Sequence, residues 1–233
     1  MDRRRLRHWL CTGLAATLLL QGQTGIALAG ALERAMLGKS AVVELSHPLA
    51  ETALESGNRD GVSPPPITRL HAPAGALPRQ RTVAEIPVRE LIFPAVVVDI
   101  KAKADPQGEY AVGVEEFQGW ERAHGRIPRR SMVLLRTGSR AGAGSRPPVP
   151  LLRPAALAFL LQQREVRAVG QDAPLVDSAA GSGEAARTGR PGAMRVENLT
   201  NLDRLPPKGA KLVVAPLRMT GGSAPARVFA ILP

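Results

Sequence analysis

The fold of this 233-residue chain is most readily inferred from one run near its C-terminus, Met194-Arg-Val-Glu-Asn-Leu-Thr-Asn-Leu-Asp-Arg-Leu-Pro-Pro-Lys-Gly-Ala-Lys-Leu-Val-Val-Ala-Pro-Leu-Arg-Met219. Residues 197–202 place one carboxylate and two amide side chains among apolar ones. The Pro-Pro-Lys-Gly sequence at 206–209 predicts a turn. The apolar, β-branched residues 211–215 predict a buried strand. An unpaired buried charge is very costly, so Glu197 needs a partner and, taken alone, indicates a hydrogen-bonded structural carboxylate rather than a ligand.

Strands alternate with helices along the rest of the chain. The most apolar predicted strand covers 91–100, and the others cover 41–45, 132–136 and 165–170. Helices are predicted over 114–124, where apolar residues recur every three positions, and over 154–163. Charged or Gly/Pro-rich segments predict loops over 51–66, 101–111, 139–150 and 177–192. This alternation predicts a single α/β domain that is large enough for a hydrophobic core.

The first 29 residues have the pattern of an export signal. A basic segment at 2–8 precedes an apolar run at 9–20 that is too short to span a membrane. Ala27-Leu28-Ala29 is a small-x-small cleavage site, so we expect cleavage before Gly30 and a mature domain of residues 30–233. The expected location is the periplasm or the extracellular space. An uncleaved anchor is the alternative, and the leading arginines permit twin-arginine as well as Sec export.

The composition limits the chemistry that the mature chain can perform. The formal net charge is +11, and cleavage would leave 27 basic and 19 acidic side chains, a net charge of +8. Cys11 would leave with the signal, so no disulfide, thiolate ligand or cysteine nucleophile remains. The charge could attract anionic lipid, polysaccharide or nucleic acid, but the basic residues are scattered and lack an aromatic-interleaved stripe. We therefore expect a solvated basic surface, without nucleic-acid binding or stable membrane insertion, and leave a homo-oligomer open.

Five short phrases of the chain carry a family resemblance. They are Ser46-His-Pro-Leu49, Leu134-Leu-Arg-Thr-Gly138, Glu197-Asn-Leu-Thr-Asn-Leu-Asp-Arg-Leu-Pro206, Val214-Ala-Pro-Leu217 and Ala226-Arg-Val-Phe-Ala230. Together they resemble the cyclase family, which includes bacterial kynurenine formamidases, over about residues 42–232. The resemblance implies a swivelling β/β/α architecture, with a mixed barrel-like sheet and flanking helices. It also implies an arylformamidase-like, metal-dependent hydrolase of linear or cyclic amides or of esters, with Glu197 among the metal ligands.

The family's metal-binding phrase, His-x-Gly-Thr-His-x-Asp-x-Pro-x-His, aligns with residues 65–75. Thr68 and Pro73 match the phrase, and residues 83–92 fit the next family segment without a gap. In the family, histidines and carboxylates would hold zinc or manganese, which lowers the pKa of a bound water. The last histidine would act as acid and base toward the leaving group.

Most of these ligand positions are replaced in this chain. The resemblance puts Pro65 and Gly75 at histidine positions, and neither side chain offers a ligand. Arg69 stands at the middle histidine, and its permanent positive charge would repel a divalent metal. His71 stands at the aspartate position. The family's downstream histidine is also missing, because residues 180–196 contain no histidine.

Three histidines remain after residue 29. His124 ends a predicted surface helix, where the helix dipole favours a solvent-exposed histidine. His47 follows a predicted strand, and we interpret it as a structural histidine rather than a pocket residue. His71 and Glu197 are left as the site-like metal ligands, with Asp172 as a third.

Three hypotheses about function follow. In the first, catalysis is lost or altered, and Arg69 and His71 replace the metal with fixed positive charge that Glu197 partly balances. Such a pocket, with Thr68 and Asp172 completing it, would bind a small anionic ligand. In the second, His71, Glu197 and Asp172 hold one zinc or manganese ion in a rebuilt hydrolase. In the third, the protein acts through its basic surface. No Gly-x-Ser-x-Gly elbow offers another nucleophile, and we further expect a partly buried Arg69–Glu197 ion pair.

Overall fold

A computed structural model of the chain describes residues 30, 33–48, 67–73, 81–103, 109–139, 149–175 and 192–233. The predictions for residues 1–29, for Pro65 and Gly75, and for most of the 177–192 loop lie outside these residues. The described strands are β1 (Val42–Glu44), β2 (Arg69–His71), β3 (Ile92–Asp99), β4 (Glu109–Val112), β5 (Met132–Arg136), β6 (Val149–Leu152), β7 (Ala168–Gln171), β8 (Met194–Glu197), β9 (Lys208–Pro216) and β10 (Ser223–Ile231). The α-helices with assigned bounds are α1 (Val114–His124) and α2 (Pro154–Ala158), and α2 continues as a π-helical turn over Phe159–Gln163.

Seven of the strands close into a barrel. The sheet order is β1-β10-β2-β8-β7-β5-β3-β9, and β10 also pairs with β9 through Ala226–Ile231. Strands β3, β5, β7 and β8 run parallel to their neighbours in that series, whereas the remaining pairings are antiparallel. Strand β1 lies outside the ring, beside the C-terminal half of β10. The expected single α/β domain with a mixed, barrel-like sheet is confirmed.

Alternating side chains build two apolar layers. One set points into the barrel and includes Phe93, Leu134 and Leu212, all at most 1 % exposed. The second set lies on the outer face of β3, β5 and β7, where Phe117 of α1 and Leu160 of the π turn pack against it. These strands are therefore buried on both faces, as parallel strands usually are. Within the described residues, no helix is both long and apolar enough to cross a bilayer.

Helix α1 has the predicted bounds and is anchored at both ends. The carboxylate of Glu116 accepts a hydrogen bond from the Gly113 amide at 2.9 Å, which satisfies one of the free amides of the first turn. Gly125 ends the helix with a φ of 83°, a conformation that favours glycine. His124 is half-buried, and its ring centroid lies 5.0 Å from that of the Trp120 ring. The expectation of a solvent-exposed histidine is therefore wrong.

Two predicted loops contain strands. Strands β4 and β6 pair in parallel over four residues each, so the loops predicted over 101–111 and 139–150 end in regular structure. In this small sheet each strand pairs only with the other. The sequence of one segment alone cannot indicate a pairing that depends on a distant segment of the chain. The strand predicted from residue 165 begins at Ala168, because Glu165 has a φ of 53° and its carbonyl bonds to the Arg130 amide.

Candidate ligand-binding site

The predicted residues Arg69, His71 and Glu197 meet on the outer face of β2 and β8. The antiparallel register pairs Arg69 with Glu197 and His71 with Arg195. Leu70 lies between them on β2 and is fully buried in the barrel. Because side chains alternate along a strand, all four polar side chains share the opposite, outer face.

The carboxylate of Glu197 is held by two hydrogen bonds. His71 Nε2 lies 2.8 Å from Oε1, and the Leu175 amide donates to Oε2 at 2.8 Å. Burial raises the pKa of Glu197, but the bonds from His71 and Leu175 and the charges of His71 and Arg69 outweigh it, so the pKa lies below its ordinary value. The carboxyl group is therefore ionised near neutral pH, and His71 Nε2 must be the donor.

The expected ion pair between Arg69 and Glu197 is wrong. Glu197 pairs with His71 instead, with side chains 27 % and 13 % exposed for His71 and Glu197. Arg69 lies opposite in the register, and its charge lowers the Glu197 pKa without a direct contact. Within the described part of the chain, neither Arg69 nor Arg195 forms a hydrogen bond or ion pair, although both are half-buried. Their guanidinium donors are available to a ligand.

Thr68 connects three segments behind this face. Its hydroxyl donates to the Asn198 carbonyl at 2.7 Å and accepts from the His47 amide at 3.1 Å. The Asn198 side chain in turn donates to the Ile67 carbonyl, and Asn198 has a φ of 54°. Thr68 therefore fixes the start of β2, and with it the position of Arg69.

Asp172 is buried, and its carboxylate is hydrogen-bonded to Thr137 and Gly138. It accepts hydrogen bonds from the Thr137 amide at 2.9 Å, from the Thr137 hydroxyl at 2.6 Å and from the Gly138 amide at 2.9 Å. Burial raises the pKa of Asp172 more than these bonds lower it. The carboxylate joins the ends of β7 and β5, and among the described residues no bond links it to His71 or Glu197.

The described residues do not fit a divalent metal. Across the ranges that the structure covers, no group of three or more His, Cys, Asp or Glu side chains is placed to hold an ion. His71 Nε2 donates to Glu197 and so offers no lone pair on that nitrogen. Arg69, a permanent cation, lies opposite the same carboxylate.

Sequence reasoning missed Arg195. It lies two residues before Glu197 on β8 and therefore shares the outer face with it. The strand period alone would have found it, since alternate residues of a strand point the same way. The family phrase begins at Glu197, so the resemblance assigns no role to Arg195.

Comparison with known proteins places the chain in a family. A family model described as "Putative cyclase" matches residues 43–178, and the chain belongs to this cyclase family. Isatin hydrolase of Roseibium aggregatum is 29 % identical over 166 residues, which is 63 % of this chain. The match spans 62 % of that relative, less than two thirds of its length.

Solved structures share the fold. Isatin hydrolase A from Labrenzia aggregata, bound to benzyl benzoate, has a TM-score of 0.68 and 26 % identity, and the match covers 88 % of this chain and 98 % of that one. A potential metal-dependent hydrolase with cyclase activity has a TM-score of 0.59 and 20 % identity, covering 83 % and 98 %. The family and the fold expected from the sequence are thus confirmed. The chain has the fold of isatin hydrolases, and a structural neighbour is described as metal-dependent.

Proposed function

We propose that this protein is an exported member of the cyclase family that binds a small carboxylate through Arg69, Arg195 and His71, with the family's metal chemistry lost. One observation carries the proposal. Two half-buried arginines without a partner among the described residues flank a Glu197 carboxylate that is already satisfied by His71 and Leu175. Counted over the described residues, the local charge is positive and the guanidinium donors of both arginines have no partner.

The spacing suits one bound carboxylate. Arg69 and Arg195 are diagonal neighbours on adjacent strands, which puts their Cβ atoms roughly 7–8 Å apart. Two long side chains at that spacing can converge on a single anion. Arginine is the side chain that pairs best with carboxylates, because its planar fork donates two parallel hydrogen bonds.

A rebuilt hydrolase is the second candidate function. The observation that favours it is the 2.8 Å approach of His71 to Glu197, because two ligands of one zinc or manganese ion would also lie side by side. Binding of a zinc or manganese ion would require the hydrogen bond between His71 and Glu197 to break. Asp172, the third predicted ligand, would also have to leave Thr137 and Gly138.

Titration with propanoate, followed by backbone amide signals in NMR, tests the proposal. We expect Arg69→Ala and Arg195→Ala each to weaken binding about tenfold or more, because a hydrogen bond to a charged group is worth about 1.5–3 kcal/mol. Arg129→Ala, at an exposed arginine elsewhere, is the matched control and should leave the affinity unchanged. An equal loss of propanoate affinity in all three variants, together with a similar loss when salt is added, would favour binding by the general basic surface. Zinc-dependent hydrolysis of isatin by the unmodified protein would favour the rebuilt hydrolase.

Export is part of the same proposal. It is supported by the basic segment, the short apolar run and the Ala27-Leu28-Ala29 cleavage site. The absence of cysteine after residue 29 accords with a chain that needs no reducing compartment.

A further inference from the structure

A cleft of about 480 Å³ opens on the outer face of the barrel, and neither Arg69 nor Arg195 is among its lining residues. It lies where β9, β10, the segment before β2 and the segment after β1 meet. Its apolar walls come from Ile67, Ala215, Leu217 and Pro225. The cleft is distinct from the His71–Glu197 pair. His47, interpreted from the sequence as a structural histidine, is one of its lining residues, so that interpretation is wrong.

The register of the sheet places one wall of the cleft next to Arg69. Pro225 of β10 is directly opposite Arg69 of β2, so their Cβ atoms lie about 5 Å apart on the same face. Ile67 precedes Arg69 by two residues. Ala215 of β9 lies on the far side, opposite Arg227 of β10. Ala215 therefore lies two strand spacings from Arg69 across β10, roughly 10 Å.

The polar groups that rim the cleft are already paired or uncharged. Arg227 Nε donates to Glu44 Oε2 at 2.9 Å, and the Ser46 hydroxyl donates to the other oxygen. Burial raises the pKa of Glu44, but the bonds from Ser46 and Arg227 outweigh it and hold the pKa below its ordinary value. Burial lowers the pKa of His47, so its imidazole is neutral near neutral pH. The cleft thus offers apolar walls and no uncompensated charge, in contrast to the arginine pair beside it.

We infer that the bound ligand is an amphiphilic monocarboxylate, with its carboxylate between Arg69 and Arg195 and an aromatic or short alkyl body in the cleft. The inference rests on the proposed carboxylate binding and adds the class of ligand. An apolar body of up to about 10 Å would exchange water for the walls formed by Ile67, Pro225 and Leu217. Each methylene buried in this way adds about 0.8 kcal/mol, which corresponds to roughly a fourfold gain in affinity.

Two carboxylates and one substitution test the inference. Propanoate supplies the charged group alone, whereas 3-phenylpropanoate adds an apolar body. We expect the parent protein to bind 3-phenylpropanoate at least tenfold more tightly than propanoate in the NMR titration. Ala215→Phe should fill the cleft and remove most of that difference, while the propanoate affinity stays the same. Ala155→Phe, at another exposed alanine, is the matched control and should change neither affinity.

The outcomes separate this inference from the proposed function. Equal affinity for the two carboxylates, or no effect of Ala215→Phe on their ratio, would overturn the cleft assignment and leave carboxylate binding standing. Equal binding of 3-phenylpropan-1-ol and 3-phenylpropanoate would show that the charged group and the apolar body are not recognised together, and would also overturn it. If neither carboxylate binds, the proposed function fails, and this inference fails with it. Thermal melts of both phenylalanine variants verify that the fold is intact.

Discussion

His71 Nε2 lies 2.8 Å from Glu197 Oε1, and this contact joins two strands whose residues are 126 positions apart. A histidine thus donates a hydrogen bond to the carboxylate that the family resemblance would assign to a metal. The arrangement leaves Arg69, directly opposite in the register, without a bond to that carboxylate. The electrostatic roles of the two residues therefore differ: His71 bonds to the carboxylate, whereas Arg69 has no bonded partner among the described residues.

Removing His71 should destabilise the fold more than removing Arg69. His71→Ala leaves the mostly buried Glu197 carboxylate with one donor fewer, at a cost of about 1–3 kcal/mol. His71→Ala combined with Glu197→Gln should recover most of that loss, and Arg69→Ala should change the free energy of unfolding by less than about 0.5 kcal/mol. Urea denaturation of the three variants measures these changes in the free energy of unfolding. A loss for Arg69→Ala as large as that for His71→Ala would show that Arg69 also has a structural partner.

Acid should remove the stability that Glu197 contributes. Its pKa is lower in the folded protein than its ordinary value of 4.5. The contribution is therefore complete above about pH 4.5 and is lost as the pH falls through the folded-state pKa. The difference in unfolding free energy between the parent and Glu197→Gln should shrink as the pH falls below about 4.5. Glu115→Gln, at an exposed glutamate, is the control. A difference that widens toward low pH would contradict the assignment.

The purified protein should contain less than one equivalent of zinc or manganese when no chelator is used. Proline, arginine and glycine at positions 65, 69 and 75 replace the three histidines of the family's phrase. Elemental analysis by mass spectrometry measures the content. Arg69→His combined with His71→Asp restores two of the family's ligands and should raise it. Two equivalents in the unmodified protein would mean that the alignment or the role of Arg69 is wrong.

The Arg164–Glu121 ion pair should contribute far more stability than the Arg129–Glu165 pair. Arg164 forms two bonds with Glu121, at 2.6 and 2.9 Å, with side chains only 16 % and 14 % exposed, and it packs over the Phe159 ring at 4.2 Å. Arg164→Ala should cost about 2–4 kcal/mol. Arg129→Ala removes a pair that is 73 % and 50 % exposed, and should cost less than about 1 kcal/mol. Equal losses in thermal or urea unfolding would contradict this ranking.

The exported protein should begin at or near Gly30. The basic segment, the short apolar run and the small residues at 27–29 predict cleavage at that bond. N-terminal sequencing of the protein recovered outside the cytoplasm measures the position. An intact Met1 in a membrane fraction would show an uncleaved anchor instead.

Sequence reasoning succeeded wherever a segment carries its own pattern. The strand over Met132–Arg136 and the helix over Val114–His124 have the predicted bounds, because each shows its apolar period without reference to any other segment. Strands β4 and β6 were missed because their pairing is set by each other. In the site, the family alignment brought Arg69 and Glu197 to adjacent positions. It could not show which side chain would form a hydrogen bond with Glu197, because that depends on side-chain geometry across two strands.

Strand β10 has a consequence for the order in which the protein folds. It pairs with β1, β2 and β9, so the ring cannot close until the last strand of the chain is in place. Some of its contacts join residues very far apart in sequence, such as Arg227 and Glu44 at a separation of 183. Contacts of this range slow folding, because a long loop must be ordered before they form. Slow closure should keep a newly made chain unfolded for longer, with the apolar faces of the other strands exposed until β10 is in place.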